Sequence, residues 1–587
     1  MTNIKQSWRL IQDRLPDAIL REFDRDVAPT RLQAQILSNR LLQSGAPDYQ
    51  DVPTLRCWRF PDAGCVADPS LLPDMQVAVQ RIRHAIDTGE HIAIVGDCDV
   101  DGIAATVIML ETLRQLSPPG APDISAIIQP RESSGRGLNQ QAVAQLVAQG
   151  ARLCITVDNG SSSRDEVEQL RQHHVDVIVT DHHHLDGPPP AAVAVVNPQR
   201  AGATYPNPDI CGAGVALQLA RALLGDTDLT TPLIAAMLDL AGMGTLADVV
   251  RLSLENRAFI RLGLQRINTQ PRAGVRALVQ TMRRPLPLVP RDISFGIAPR
   301  INAIGRMGED PTLAVELLRT DDAVMAATLA TQLDYLNVAR QQQTDDMLAQ
   351  AVTQAESQLA SDGLLFVQKQ GWPVGIIGLI AGRLATIYGR LAVVVAIDEN
   401  GICRGSLRGP AGFHIAETLA TFDPPLAQAG GHAQAGGFTT TADQLDRLRD
   451  HLVAAYQTMR QHPLETPPVP VDAVMPLKEI TWERVRQVRE LEPFGGGFAE
   501  PIFVSEQVRV EQIWPIQDGR HAKLRVERQG QRRMFFWRGN GAGAALLPPG
   551  ATVDILWLMP QLQAGDYGEP EPYVVAVYPS RDDSTAS

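Results

Sequence analysis

The sequence predicts an α/β fold class: a doubly wound, mostly parallel sheet, joined by a long helix to a second, smaller α/β domain, with a small β-barrel after it. Three observations predict it. Between about residues 75 and 250, short runs rich in Val and Ile alternate with stretches of helical spacing, a βαβα pattern. From Thr312 to Asp362 the chain holds neither Pro nor Gly, and its apolar residues recur at helical spacing. Beyond residue 470, turn residues separate several β-like segments.

In chain order, "HIAIV", "ISAII", "LCITV", "VDVIVT" and "AVAVV" read as strands buried on both faces of a parallel sheet. The intervening "GIAATVIMLETLRQL" and "NQQAVAQLVAQG" read as helices. Met325, Leu329, Leu333 and Leu336, then Leu348, Val352, Ala355 and Leu359, mark one long helix or two bridging the domains. After Gly363 a second α/β pattern begins: "LLFVQ", a helical "IIGLIAGRLATIYG", "LAVVVAI" and "GICRGSLRG". The proline-rich "HPLETPPVP" (462–470) reads as a linker. "PIFVSEQVRVEQIW", "HAKLRVERQ", "RRMFFWRG" and "TVDILWLM" then supply the barrel strands. The expected division is an N-terminal segment (1–60), a first α/β domain (61–320), a linker helix (321–362), a second α/β domain (363–462) and a barrel (463–587).

A chain of 587 residues exceeds the ~250–300 residues one core sustains. At 44% hydrophobic and 20% charged, the composition is that of a globular protein. No run reaches the ~18 apolar residues of a membrane span, and "MTNIKQSWRLIQDRL" lacks a signal peptide's apolar region. A cytoplasmic protein is expected. The six cysteines form no CxxC pair and read as buried thiols in a reducing compartment. A net charge of −13 argues against a nucleic-acid partner unless a locally basic surface exists.

The stretch "GDCDVDG" sets Asp97, Asp99 and Asp101 at alternate positions, as in a calcium loop. That loop needs Glu at its twelfth position, which here is Ile108, and a helix before it, where "HIAIV" is strand-like. An acidic strand end instead suits an open α/β sheet, whose ligands bind outside the carboxyl ends of its strands. Two more strands end in the same way, at Asp158-Asn159-Gly160 and at Asp181-His182-His183-His184; "AGMGTLADVV" adds Asp248. Taken singly, each has a plainer explanation as a capped turn or surface loop. Recurrence at three strand ends favours a hard-to-borderline site for Mn²⁺ or Mg²⁺. Shared carboxylates suggest two ions about 4 Å apart, the arrangement that activates water for in-line phosphoryl displacement.

"GDCDVDG", "TVDNG" and "VTDHHH", in this order, resemble the DHH phosphoesterase superfamily. "RESSGRGLN", "CGAGVALQLA", "GTLADVVRLSLENR", "APRINAIGRMG", "GWPVGIIGLIAGRLA", "GSLRG", "GGHAQAGGF" and "LEPFGGGFAEPIF" narrow the resemblance to its RecJ branch, single-strand-specific 5′→3′ exonucleases. The likeness runs from about residue 50 to about 580. It implies metal ligands at Asp97, Asp99, Asp101, Asp158, His182 and Asp248, with Asp158 bridging two Mn²⁺ or Mg²⁺ ions. Asp248 fits better than Asp239 because it follows the family's "GTxAD" pattern. His183 and His432 would lie beside the scissile phosphate. Arg306, Ser406 and Arg408 would grip a 5′-phosphate, with Arg131 and Trp372 also binding substrate. The chain departs from the family at Cys98, usually aromatic, and at Arg136, also usually aromatic. Alternation along an extended segment turns Cys98 away from the metals.

The resemblance makes the C-terminal barrel OB-like. There Arg520, Lys523, Arg525, Arg528, Arg532, Arg533 and Arg538 interleave with Phe535, Phe536 and Trp537, opposed locally only by Asp518 and Glu527. Cations that track phosphates beside aromatics that stack bases suit a single-strand-binding surface; aromatics facing a core, with arginines facing solvent, is the alternative. Three functions follow: an exonuclease on single-stranded DNA in repair and recombination, a related hydrolase of pyrophosphate, cyclic dinucleotides or very short oligonucleotides, and a metal-free binding scaffold. The barrel disfavours the second and the retained acids disfavour the third. By resemblance the partners are a 5′-ended single strand, single-strand-binding protein and a helicase, and the chain acts as a monomer with no membrane.

Overall fold

The computed structural model describes residues 8–11, 30–44, 52–117, 123–130, 137–185, 187–225, 228–360, 363–461, 467–562 and 568–580. The chain divides into two compact units. One comprises Asp68–Asp248 and Leu262–Glu465; the other comprises Met1–Ala67, Val249–Arg261 and Thr466–Ser587.

The first unit is built on five parallel strands: β1 (Ile92–Gly96), β2 (Ile124–Ile128), β3 (Leu153–Val157), β4 (Asp176–Thr180) and β5 (Ala194–Val196). Their order is β2-β1-β3-β4-β5. Every residue of β1 and β3 is buried, as continuous Val/Ile runs require. The chain leaves β1 toward one side and returns on the other, so a crevice opens at the carboxyl ends beside β1 and β3. Register aligns those ends: Gly96 pairs with Val157, and Val157 with Thr180. Asp97, Asp158 and Asp181 therefore leave the sheet side by side.

Helix α1 (Val100–Leu116) starts at Asp99, whose side chain accepts from Gly102 N, and is buried almost throughout. Helices α2 (Gly212–Leu224) and α3 (Pro232–Ala247) pack along it. Farther on come α4 (Ala298–Arg306) and the 34-residue α5 (Ala323–Glu356). The Pro- and Gly-free stretch thus forms two helices, Thr312–Arg319 and α5. The break falls where Asp322 Oδ1 accepts from Val324 N (2.7 Å) and Met325 N (3.2 Å), a cap that outweighs continued helix.

The second lobe of this unit carries β6 (Leu365–Gln370), α6 (Val374–Tyr388), β7 (Ala392–Ile397), β8 (Ile402–Arg408), β9 (Gln428–Gly431), β10 (Ala435–Thr441) and α7 (Ala442–Gln461). Its mixed sheet runs β9-β10-β8-β7-β6. One face packs α7 through Leu445, Leu448 and Leu452; the other packs α5 and α6 through Met347, Ala351, Ile376 and Ile380.

The other unit holds the barrel: β11 (Ala473–Val474), β12 (Phe503–Ile516), β13 (His521–Arg528), β14 (Gln531–Trp537), β15 (Thr552–Leu558) and β16 (Tyr573–Pro579). The order β11-β12-β13-β14-β16-β15 closes through β12–β15 pairing. Phe503, Phe535 and Trp557 fill it. The α/β lobes, connecting helix and closed barrel are the fold class expected from sequence. Part of the proline-rich stretch is strand: Val469–Val471 pairs in parallel with Trp8–Leu10.

The cysteine expectation needs correction. Cys57 and Cys65 form a disulfide, and only Cys98, Cys154, Cys211 and Cys403 are buried free thiols. The turn after helix Val52–Arg59 brings the two Cα atoms to 5.6 Å, a proximity that no spacing rule reports.

Candidate metal centre and phosphate grip

At the aligned strand ends, ligand atoms of Asp97, Asp99 and Asp158 lie within 4.8 Å of one another, as do those of Asp101, His182 and Asp248. The two groups meet where His182 Nε2 stands 3.0 Å from Asp158 Oδ1, 3.6 Å from Asp248 Oδ2 and 3.8 Å from Asp101 Oδ2. Both His182 Nε2 and Asp158 Oδ1 are buried, and neither is hydrogen-bonded. A buried imidazole nitrogen facing a buried carboxylate oxygen, neither of them hydrogen-bonded, is a donor set that a divalent cation completes, so the residues fit Mn²⁺ or Mg²⁺.

The electrostatics agree. Burial, reinforced by Asp101, Asp99 and Asp97, pushes the Asp158 carboxyl well above its usual range. Burial likewise raises Asp101, and raises Asp248 to about 8. Burial lowers the His182 imidazole, keeping it neutral as a ligand must be. At about 4 Å, two like charges repel by about 4 kcal/mol at an effective dielectric of about 20, a cost that cations remove.

Local structure aims these groups. Asp158 adopts a left-handed φ of 62°, which turns its carboxylate from the β3 direction into the crevice. Asp101 accepts from Gly212 N (2.6 Å) and Ala213 N (2.9 Å) at the start of α2. Glycines admit this crowding: a Cβ on Gly212 would lie 2.5 Å from Asp158 Cβ, and one on Gly244 would lie 2.3 Å from Asp101 Oδ1. Neither glycine stood out in the sequence. Asp181, read in the sequence only as an acidic strand end, accepts from Ser161 N (2.9 Å), His182 N (2.7 Å), His183 N (3.1 Å) and His183 Nδ1 (2.7 Å). That last bond raises His183 to about 9.

Asp239 lies apart from the cluster. It is buried on α3 and paired with Arg272 at 2.7 Å, which leaves Asp248 beside His182 and Asp101. Cys98 is buried and packs on Gly305 of α4, where a Cβ would lie 3.2 Å from its sulfur.

The residues assigned to the 5′-phosphate gather around the first turns of α6. Arg306 Nη1 donates to Gly375 O (3.2 Å). Ser406 and Arg408 share one face of β8 and bond each other at 3.3 Å. A Cβ on Gly378 would lie 3.3 Å from Ser406 Oγ and 3.6 Å from Arg408 Nη2. His432 stands exposed at the turn between β9 and β10 and joins none of the ligand groups among the described residues. Arg131 lies outside the described residues. Trp372, just before α6, is 7% exposed in the core between α5 and α6, its Nε1 donating to Gln350.

Three family models match: the DHH family N-terminal domain over residues 91–245, the DHHA1 domain over 361–458 and the RecJ OB domain over 471–559. The single-stranded-DNA-specific exonuclease RecJ of Escherichia coli K12 is 32% identical over 82% of this chain and 86% of its own. That of Bacillus subtilis is 34% identical over 83% of this chain and 61% of its own. The chain belongs to the RecJ family. Two solved RecJ structures from Thermus thermophilus share its fold across 98% of this chain. The Mn²⁺ complex has 27% identity, TM-score 0.78 and 80% coverage of that chain; the Mg²⁺ complex has 26%, 0.72 and 79%. Mn²⁺ or Mg²⁺ is thus the cofactor of this RecJ-family hydrolase.

The RecJ OB barrel corrects one expectation. Its basic strands are not opposed by Asp518 and Glu527 alone. Glu511 pairs with Arg525 and Arg532 (both 3.1 Å), Glu571 with Lys523 (2.8 Å) and Glu569 with Arg533 (2.6 Å). Phe535 and Trp537 face the core, whereas Phe536 faces out.

Proposed function

We infer that the chain is a metal-dependent exonuclease that degrades single-stranded DNA from its 5′ end to mononucleotides, acting in repair and recombination. The observation that carries this is the Asp158–His182 meeting point, where two carboxylate groups converge at the strand ends with unsatisfied buried ligand atoms. We assign Asp97 and Asp99 to one cation and Asp101, His182 and Asp248 to a second, with Asp158 available to both. When bound, such ions activate a water and stabilise charge on the attacking and leaving oxygens.

The chain's own residues do the rest. Asp181 and backbone N–H groups fix the motif so that ligands need no reorganisation. His183, held by Asp181, offers its Nε2 face to the scissile phosphate, and His432 is assigned there from the second lobe. Arg306, Ser406, Arg408 and the first N–H groups of α6 hold the 5′-phosphate through charge-assisted bonds. The barrel supplies a stacking surface: Trp514, Lys523, Phe536 and Tyr573 lie directly across from one another on four adjacent strands. We retain 61–320, 321–362, 363–462 and 463–587 as the functional division. A cytoplasmic monomer working with single-strand-binding protein and a helicase completes the proposal. No helix among the described residues is long and apolar enough to cross a membrane.

Asp158→Ala tests it. Losing even an outer-shell partner costs about 10–100-fold, so cleavage of a 5′-phosphorylated single strand with Mn²⁺ should fall by more than about 100-fold. Full retained activity would remove the site assignment.

A further inference from the structure

Gln350, Gln354 and Gln358 stand one turn apart on α5 and the turn that ends it, and all three reach the second lobe. Gln358 Nε2 donates to Phe366 O (2.8 Å), and its Oε1 accepts from Phe366 N (2.9 Å). Gln354 repeats this with Gln368, its Nε2 donating to the carbonyl (3.2 Å) and its Oε1 accepting from the N–H (3.1 Å). Gln350 Oε1 accepts from Trp372 Nε1 (3.2 Å) and Lys369 Nζ (2.8 Å). Because β6 is an edge strand, these side-chain amides give it the ladder partner that another strand would supply. Apolar contacts already seat α5 on this lobe; directional bonds add a fixed register.

The clamped residues Phe366 and Gln368 alternate along β6 with the residues whose rows lead to the phosphate grip. Leu365 pairs with Ala392, which pairs with Arg408; Val367 pairs with Val394, which pairs with Ser406. Phe366 lies between those two rows. The other half of α5 is tied to the metal centre. Asp334 pairs with Arg300 of α4 at 2.8 Å. Helix α4 in turn presents Asn302 Oδ1 to Val100 N (3.0 Å) and Gly305 to Cys98, both residues of the metal-binding loop. Arg306 ends the same helix, and a Cβ on Gly375 would lie 2.3 Å from its carbonyl. Directed contacts therefore run unbroken from Asp97–Asp101 through α4 and α5 to Ser406 and Arg408.

We propose that Gln350, Gln354 and Gln358 are positioning residues that set the spacing between the 5′-phosphate grip and the metal centre, and so the length of the product released at each step. The inference rests on the grip assigned above. An enzyme that holds a strand end at one point and cuts at another releases what spans the two points.

The test is the full chain carrying Gln354→Met and Gln358→Met, which keeps side-chain length and removes both amides. Short 5′-phosphorylated and 5′-hydroxyl single strands are digested, and the products are resolved by mass spectrometry. Mn²⁺ binding measured by calorimetry should be unchanged. Dinucleotides should appear beside mononucleotides, the preference for a 5′-phosphate should fall about tenfold, and kcat should drop by up to about 100-fold, the scale of a 1 Å misplacement. A folded variant that releases only mononucleotides with wild-type phosphate preference overturns the inference alone. A wild-type enzyme indifferent to the 5′-phosphate overturns the grip and the inference together. If the double variant does not fold, the two single variants carry the same readouts, and mononucleotides alone from both, at wild-type preference, overturn the proposal.

Discussion

Asp181 accepts four protein donors, three of them from the two histidines that follow it. Its role is to orient His183 and the loop that carries His182. Asp181→Ala should lower kcat by about 10–100-fold, as loss of an outer-shell partner does, and Asp181→Asn should recover part of it; steady-state kinetics check this. The raised carboxyls give a pH dependence. In chelated protein, Asp248 with its value near 8 holds a proton that an unfolded Asp has already lost by neutral pH. The folded state then binds more protons, so its stability falls as pH rises from about 4 through about 8. Thermal unfolding with EDTA should show that decline, and Mn²⁺ should abolish it. Calorimetry should show proton release on Mn²⁺ binding and tighter binding as pH approaches 8. Among single residues, the cluster at the strand ends was legible because carboxylates and imidazoles recur after apolar runs. Asp181's separate role was not, since sequence adjacency does not show which acid turns back onto its own loop.

At the scale of elements, the strands of the first sheet were legible because both their faces are buried, and buried faces leave uninterrupted Val/Ile runs. The long helix was legible in period but not in its break, which depends on Asp322 capping rather than on any helix breaker. Charge balance across the barrel was the least visible. Glu511 comes from β12, while Glu569 and Glu571 precede β16, so only cross-strand pairing reveals that they neutralise β13 and β14. What survives is alternation: Phe536 must face outward if Phe535 and Trp537 face the core. Phe536→Ala should weaken binding of a long single strand by about 1–3 kcal/mol, the worth of one stacked base. Cleavage of a trinucleotide should be unaffected. Fluorescence anisotropy and product assays separate the two.

At the scale of the whole molecule, the order of the motifs along the chain gave the lobe, helix and barrel sequence of the fold. Long-range association was another matter: residues 249–261 join the compact unit of the barrel, where buried Arg257 lies 3.5 Å above the Phe498 ring. No local pattern marks that return. On the proposed function, acidic strand ends of one sheet hold the cations that perform hydrolysis. Anomalous diffraction at the manganese edge, on crystals holding Mn²⁺ and a 5′-phosphorylated oligonucleotide, tests it most directly. Two peaks are expected about 4 Å apart on either side of Asp158, with the terminal phosphate on Arg306, Ser406 and Arg408. Absence of any peak at Asp158 and His182 would contradict it.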